Sequence, residues 1–226
     1  MSEPLTMDPD YKLSLGERVA GMLRNEILSG RLAPGARLNL DDYKTSWDIS
    51  ITPLRDAAKK LEADGLVTIS PRKGVFVAKI DSNALFEIFE IRQALEPLIT
   101  EKATPHIPAQ EIEAALKEHR AIEKIVYPAR RLERLRKIDD LVHDLVLNHC
   151  PNARLARLVI GLRDSIIWCR NTVQHSVPDA FDPSLAEHIA ILEALATRDS
   201  ARAAGAMADH LAATRARTET ALAARG

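Results

Sequence analysis

The sequence predicts a mainly α-helical protein with an N-terminal winged helix-turn-helix and a C-terminal all-α bundle of six helices. Two short amphipathic segments, separated by about three residues near residue 50, precede a β-hairpin pattern. Beyond about residue 83, the chain shows helical periodicity that breaks at prolines, without the alternation typical of strands. We therefore expect two domains, residues 1–80 and residues 81–226.

Composition and charge restrict the class of protein. The chain has 226 residues, of which 46% are hydrophobic and 28% charged, so it has enough apolar side chains for two folded domains. No apolar run of about 18 residues is present, and the polar N-terminus lacks the apolar core of a signal peptide. We therefore expect a cytoplasmic protein that does not contact a membrane.

The first domain is predicted element by element. Ser14 and Glu17 have the spacing of a capping box, so a helix begins there and ends near Gly30. A short helix is expected over residues 41–47, and a longer one over 51–64 with Leu54, Ala57, Ala58 and Leu61 on one face. A hairpin with a basic tip follows, which completes the winged helix.

Five residues are candidates for contact with DNA. Ser50 is a suitable N-cap for the second helix of the motif, and Thr52 can donate to a phosphate. Arg55 lies one turn into this helix, where its guanidinium can donate to O6 and N7 of guanine. Arg72 and Lys73 at the hairpin tip can reach the DNA backbone or minor groove. Because the net charge is −1, DNA binding must use such a local patch.

The segments SITPLRDA, LEADGLV and SPRKGVFVA resemble the GntR family of bacterial regulators over about residues 13–80. The resemblance implies a DNA-binding domain. The family usually has an arginine at the position of Ile51, and isoleucine cannot donate to guanine. Either the operator differs from the usual one or DNA affinity is reduced, and a sensor that has lost specific DNA binding is one alternative.

Six helices are expected in the second domain, at residues 83–103, 109–126, 129–149, 152–175, 184–197 and 200–224. Three of them carry groups that can ligate a metal on their apolar faces: Asp139 and His143, His188, and His210. One carboxylate and three imidazoles suit Zn²⁺, Ni²⁺ or Fe²⁺. The alternatives are histidines with local hydrogen bonds, or a simple pair of Asp139 with His143.

The segments IRQALEP, IDDLVHDLVLNHCPNARL, AEHIAILEALATRD and AMADHL resemble the FCD ligand-binding domain of FadR-type GntR regulators over about residues 82–222. The resemblance implies metal ligation by Asp139, His143, His188 and His210. Six helices indicate the shorter, VanR-like subgroup. His119 matches no ligand position and is interpreted as solvated or as lying behind the ligands.

Arg92 lies on the apolar face of the first helix of this domain, where a guanidinium requires a partner. One interpretation is an ion pair with Glu96, four residues further along. The other is a clamp for the carboxylate of an effector whose other end ligates the metal, and the family resemblance favours it.

Taken together, these features predict a metabolite-responsive repressor that binds a palindromic operator as a homodimer and is released by a small organic acid. The alternative from another class is a metal-dependent hydrolase with a degenerate N-terminal domain. Against catalysis, the sequence offers no evident acid or base beyond the four ligands. We therefore expect a protein that is not an enzyme.

Overall fold

The computed structural model describes residues 13–79, 82–127, 130–131, 134–135, 138, 140–167 and 181–223. The chain divides into two compact units. Residues 13–79 belong to the first, with residues 164–167, and the other described residues belong to the second. Among the helices of the described residues, none is both long and apolar enough to cross a membrane.

The first unit is a winged helix, as predicted. Its elements are α1 (Leu15–Leu28), β1 (Arg37–Leu38), α2 (Leu40–Ser46), α3 (Ile51–Ala63), β2 (Val67–Ser70) and β3 (Gly74–Val77). The capping box begins α1, because the Glu17 backbone N–H donates to Ser14 Oγ over 3.2 Å and the Ser14 backbone N–H donates to the Glu17 carboxylate over 2.9 Å. α2 and α3 form the helix-turn-helix.

A three-stranded antiparallel sheet closes this unit, in the order β1-β3-β2. Val67 pairs with Val77 across the hairpin, and Leu38 of β1 pairs with Val75 on the other side of β3. The sequence indicated only short extended pieces around Pro34, because two residues are too few to show alternation. The sheet and the apolar faces of α1 and α3 bury one core, built around Val19, Leu23, Leu54, Leu61 and Val75.

The second unit is all-α in its described residues. Its helices are α4 (Ser82–Ala103), α5 (Ala109–Glu123), α6 (Leu141–Asn148), α7 (Ala153–Ile160), α8 (Phe181–Ala196) and α9 (Ser200–Ala223). α4 packs along α9, and α8 packs between α9 and α5. Their shared core includes Ile99, Ile112, Val142, Leu192 and Met207. This arrangement directs side chains of α4, α6, α8 and α9 towards a common interior.

Two predicted helices are interrupted in the structure, although described residues on both sides of each interruption are helical, among them 130, 131, 134, 135 and 138 before Asp140. The helix expected over 129–149 is interrupted at Asp140, where α6 begins, and acidic side chains favour a helix N-terminus. The helix expected over 152–175 is interrupted because α7 ends at Gly161, a residue of low helix propensity. Residues 163–167 are helical again. Apolar periodicity continues across both interruptions, so it predicted one helix where the chain turns.

Candidate functional site

The predicted recognition helix exposes its polar face. Ser50, Thr52 and Arg55 are exposed at the start of α3, while Leu54 is fully buried beneath them. Ser50 has the extended N-cap backbone conformation, but its hydroxyl makes no capping hydrogen bond. The capping prediction is therefore correct for the backbone and wrong for the side chain.

Ile51 does not share that exposure. Its side chain is half-buried and packs against the core of the winged helix. At this position the chain gains apolar packing where a longer polar side chain would have to extend away from the core.

The wing carries the two remaining candidates for DNA contact. Arg72 and Lys73 are exposed in the turn between β2 and β3. Arg72 has φ of 64° and Gly74 has φ of 115°. A Cβ added to Gly74 would lie 3.2 Å from Nε of Arg37, so this turn is shaped around glycine.

Three of the four predicted metal ligands lie together in the second unit. His143 of α6, His188 of α8 and His210 of α9 each offer one ring nitrogen, and these nitrogens lie within 4.8 Å of one another. The ring centroids are 4.6 Å apart for His188 and His210, and 5.2 Å apart for His143 and His210. Asp139, the fourth predicted ligand, lies outside the described residues.

His188 provides the test of whether a metal fits this cluster. Its side chain is buried, and its Nε2 has no hydrogen-bond partner among the described residues. Burial lowers the pKa of His188 well below its ordinary value, and the neighbouring His210 and His143 lower it further. A buried imidazole nitrogen without a partner is costly, and in a neutral ring a bound divalent cation can supply that partner. The residues present therefore fit a divalent metal.

The other two imidazoles are held by carboxylates. Nδ1 of His143 lies 2.7 Å from Oε2 of Glu96, and Nδ1 of His210 lies 2.8 Å from Oε2 of Glu187. An ionised carboxylate only accepts, so in both rings Nδ1 is the protonated donor. In the neutral form of each ring, Nε2 then has a lone pair for a metal, as in the carboxylate–histidine–metal arrangements of many metalloproteins.

Each of these carboxylates is paired with an arginine. Nε of Arg92 donates to Oε1 of Glu96 over 2.5 Å, and both terminal nitrogens of Arg217 donate to Glu187 over 2.6 and 2.8 Å. Burial would raise the pKa of Glu96, but Arg92 and His143 hold that pKa below its ordinary value. Burial opposes ionisation of Glu187 too, and Arg217 and His210 nevertheless lower its pKa to about 2.

Of the two interpretations of Arg92, the ion pair with Glu96 is therefore present in the structure. Arg92 is 8% exposed and Glu96 2% exposed, so the pair is buried within the second unit. Glu96 also bonds to His143, so the pair lies beside the histidine cluster. The pair does not contradict an effector clamp, since a guanidinium has five N–H donors.

Two residues near the cluster, Glu187 and Arg217, were not predicted from the sequence, and a third, His119, was left between two interpretations, solvated or behind the ligands. Glu187 and Arg217 are distant in sequence, and no local pattern joins them. His119 is fully buried, and its ring lies edge-on to that of His188 at 5.8 Å between centroids. It shares the apolar face of α5 with Ile112 and Ile122, a periodicity that could have excluded the solvated interpretation.

Comparison with protein families and known proteins agrees with both units. The family model "FCD domain" matches residues 87–213, and the model "Bacterial regulatory proteins, gntR family" matches residues 15–77. The HTH-type transcriptional repressor RspR of Escherichia coli (strain K12) is 28% identical over 203 residues, covering 87% of this chain and 86% of that protein. The uncharacterised HTH-type transcriptional regulator YdhC of Bacillus subtilis (strain 168) is 26% identical over 171 residues, covering 76% of each.

Among solved structures, a putative GntR transcriptional regulator from Rhodococcus sp. RHA1 superposes with a TM-score of 0.77 at 22% identity, covering 92% of this chain and 99% of that one. This likeness shows a shared fold. The FCD model spans more than half of the chain, and the gntR model spans the winged helix. The chain therefore belongs to the GntR family of bacterial regulatory proteins and is a DNA-binding transcription regulator with an FCD domain.

Proposed function

We propose that this regulator is a repressor that binds a palindromic operator as a homodimer and leaves it when a small carboxylate effector binds. Residues 1–80 form the DNA-binding domain, and residues 81–226 bind the metal and the effector. Ser50, Thr52 and Arg55 contact the major groove side of the operator, and Arg72 and Lys73 contact its backbone or minor groove. Such a regulator acts in the cytoplasm, where bacterial DNA lies.

The observation that carries the sensing proposal is the partnerless Nε2 of His188 within the histidine cluster. We assign His143, His188 and His210 as three metal ligands and Asp139 as the fourth. Zn²⁺, Ni²⁺ and Fe²⁺ all suit imidazole and carboxylate ligands. A bound ion supplies positive charge and coordination positions for an anionic ligand, and Arg92 supplies a second anchor for its carboxylate.

Repression is supported by the relatives. RspR and GlaR of Escherichia coli (strain K12) are both described as transcriptional repressors, and each matches more than four-fifths of this chain. A repressor of this kind responds to an effector only if that effector binds one of two conformations better than the other.

The experiment is a mobility-shift assay on the DNA upstream of the protein's own gene, with Zn²⁺-loaded protein and a panel of sugar acids, hydroxy acids and dicarboxylates. We expect a specific complex at low nanomolar to micromolar protein that one class of acid dissociates. Failure to prefer this DNA over a scrambled duplex would instead support the alternative in which Ile51 has abolished specific binding.

The same preparation tests the hydrolase alternative. Zn²⁺-loaded protein is incubated with ester, amide and phosphate ester substrates, and product formation is compared with that of a His188→Ala variant. We expect no turnover that depends on His188. Turnover that is lost in the variant would replace the proposed sensor by an enzyme.

A further inference from the structure

Glu96 stands between the two parts of the proposed sensor. Its Oε1 accepts a hydrogen bond from Nε of Arg92 at 2.5 Å. Its Oε2 lies 2.7 Å from Nδ1 of His143 and also accepts a longer contact, 3.5 Å, from the second terminal nitrogen of Arg92. The group is 2% exposed, so water does not compete with these contacts. A single buried carboxylate thus joins the guanidinium proposed to bind the effector to an imidazole proposed to ligate the metal.

Glu96 occupies Arg92 with the same chemical group that the proposed effector would bring, a carboxylate. It does so from one helical turn away on α4. Arg92 can bind a second carboxylate only if the new contacts of that carboxylate offset the loss or weakening of the buried ion pair with Glu96.

We propose that Glu96 is a built-in carboxylate competitor of the effector and the residue that couples effector binding to metal binding. This inference rests on the proposed function. A metal held by His143 would increase the acidity of its Nδ1–H and so strengthen the hydrogen bond to Glu96. A Glu96 held more firmly by His143 would bind Arg92 less strongly and leave that guanidinium available to an incoming carboxylate. By linkage, the effector raises metal affinity by the same factor.

The competitor also sets the specificity of the site. A monocarboxylate without another donor gains only the contact with Arg92. Glu96 already makes that contact within the protein, where its effective concentration is high, so a monocarboxylate competes poorly with it. A carboxylate that carries a second oxygen donor, such as a hydroxy acid or a dicarboxylate, adds a bond to the metal and displaces Glu96. The inferred ligand class is therefore a carboxylate with an additional metal-binding oxygen.

The test removes the Glu96 carboxylate by mutation and supplies acetate as a free carboxylate in its place. Zn²⁺ affinity and melting temperature are measured for wild type, Glu96→Ala and the exposed control Glu90→Ala, each in sodium acetate and in sodium chloride at equal ionic strength. We expect Glu96→Ala to lose Zn²⁺ affinity by about 10–100-fold and to regain part of it in acetate. Wild type and Glu90→Ala should not distinguish acetate from chloride.

If Glu96→Ala does not fold, Glu96→Gln keeps the shape of the side chain without its charge. We expect Zn²⁺ affinity to fall about 10-fold in Glu96→Gln and to remain at the wild-type value in a Glu90→Gln control. Zn²⁺ affinity that is unchanged in both Glu96 variants, or rescue by chloride as effective as by acetate, would overturn the inference. Absence of Zn²⁺ binding by wild type would instead overturn the proposed function.

Discussion

Arg55 is the residue from which most sequence preference of the DNA contact is expected. It is exposed on the first turn and a half of α3, next to Thr52 and above the buried Leu54. A guanidinium that donates to both O6 and N7 of guanine discriminates bases by about 1–3 kcal/mol. We expect Arg55→Ala to lose that much specific binding and to relax the preference at one base pair per half-site.

The comparison variant for Arg55→Ala is Lys73→Ala at the wing tip. A lysine that contacts phosphate contributes equally to all sequences, so this variant should weaken operator and scrambled DNA alike and reduce the slope of log affinity against log salt. Fluorescence anisotropy with both duplexes at several salt concentrations measures the two effects. If Arg55→Ala retained wild-type preference for the operator, the assignment of α3 as the recognition helix would be refuted.

His188 and His210 are the residues on which metal content depends most. Both are buried and both have lowered pKa values, so they are neutral near pH 7 and their lone pairs are available. We expect His188→Ala or His210→Ala to remove most of the divalent ion from purified protein, as measured by inductively coupled plasma mass spectrometry. The exposed His106→Ala is the matched control and should keep it. Full metal content in the double variant would contradict the assigned ligands.

At this scale the sequence was informative about the ligands and silent about what holds them. The 3.6-residue repeat placed His143, His188 and His210 on the apolar faces of their helices. That they form one metal site was implied by the family resemblance. The hydrogen bond from His210 to Glu187 and the ion pair of Glu187 with Arg217 depend on how α8 packs on α9. Packing between helices is a tertiary property that local periodicity does not encode.

At the scale of elements, the β2–β3 hairpin depends on one glycine. Gly74 has φ of 115°, a conformation that costs a residue with a side chain about 1–3 kcal/mol, and an added Cβ would crowd Arg37. We expect Gly74→Ala to destabilise the protein by about that amount and to weaken DNA binding, because Arg72 and Lys73 lie in the same turn. Chemical denaturation and anisotropy measure the two consequences.

The control for the wing is Gly21→Ala in the middle of α1. Nothing lies within 4 Å of a Cβ added there, and alanine is the better helix former. This variant should stabilise the protein by about 0.5–1 kcal/mol and leave DNA binding unchanged. A Gly74→Ala variant as stable as wild type would mean that the turn tolerates a side chain and that its conformation is not set by glycine.

The limits of prediction also differ between elements. The winged helix was predicted in the correct order, because its capping box, helix spacing and hairpin are local patterns. β1 was not predicted as a strand, since its two residues are defined by pairing with β3. In the second unit, the ends of α6 and α7 were misplaced because a continuous apolar stripe conceals turns at Asp140 and Gly161.

For the whole molecule, the metal should stabilise the folded chain. A ligand that binds only the folded state at 100 times its dissociation constant adds about 2.7 kcal/mol, which raises the melting temperature of a protein of this size by about 5–10 °C. We expect chelation to reverse this shift and re-addition of Zn²⁺ to restore it. The His188→Ala variant should melt at one temperature with or without the chelator, and a persisting shift would indicate a second metal site.

The proposed dimer makes a prediction about operator geometry. The net charge of −1 gives the chain no general attraction for DNA, so we expect strong binding to use the winged helices of both protomers on two half-sites. Half-sites read by such a dimer lie one helical turn or a multiple of it apart, with a turn of about 10–10.5 base pairs. Five base pairs inserted between the half-sites place them on opposite faces of the duplex. We expect affinity to fall to that of a single half-site, with about half the salt slope, while sedimentation shows one dimer per intact operator. Equal affinity for both spacings would show that each chain binds DNA independently.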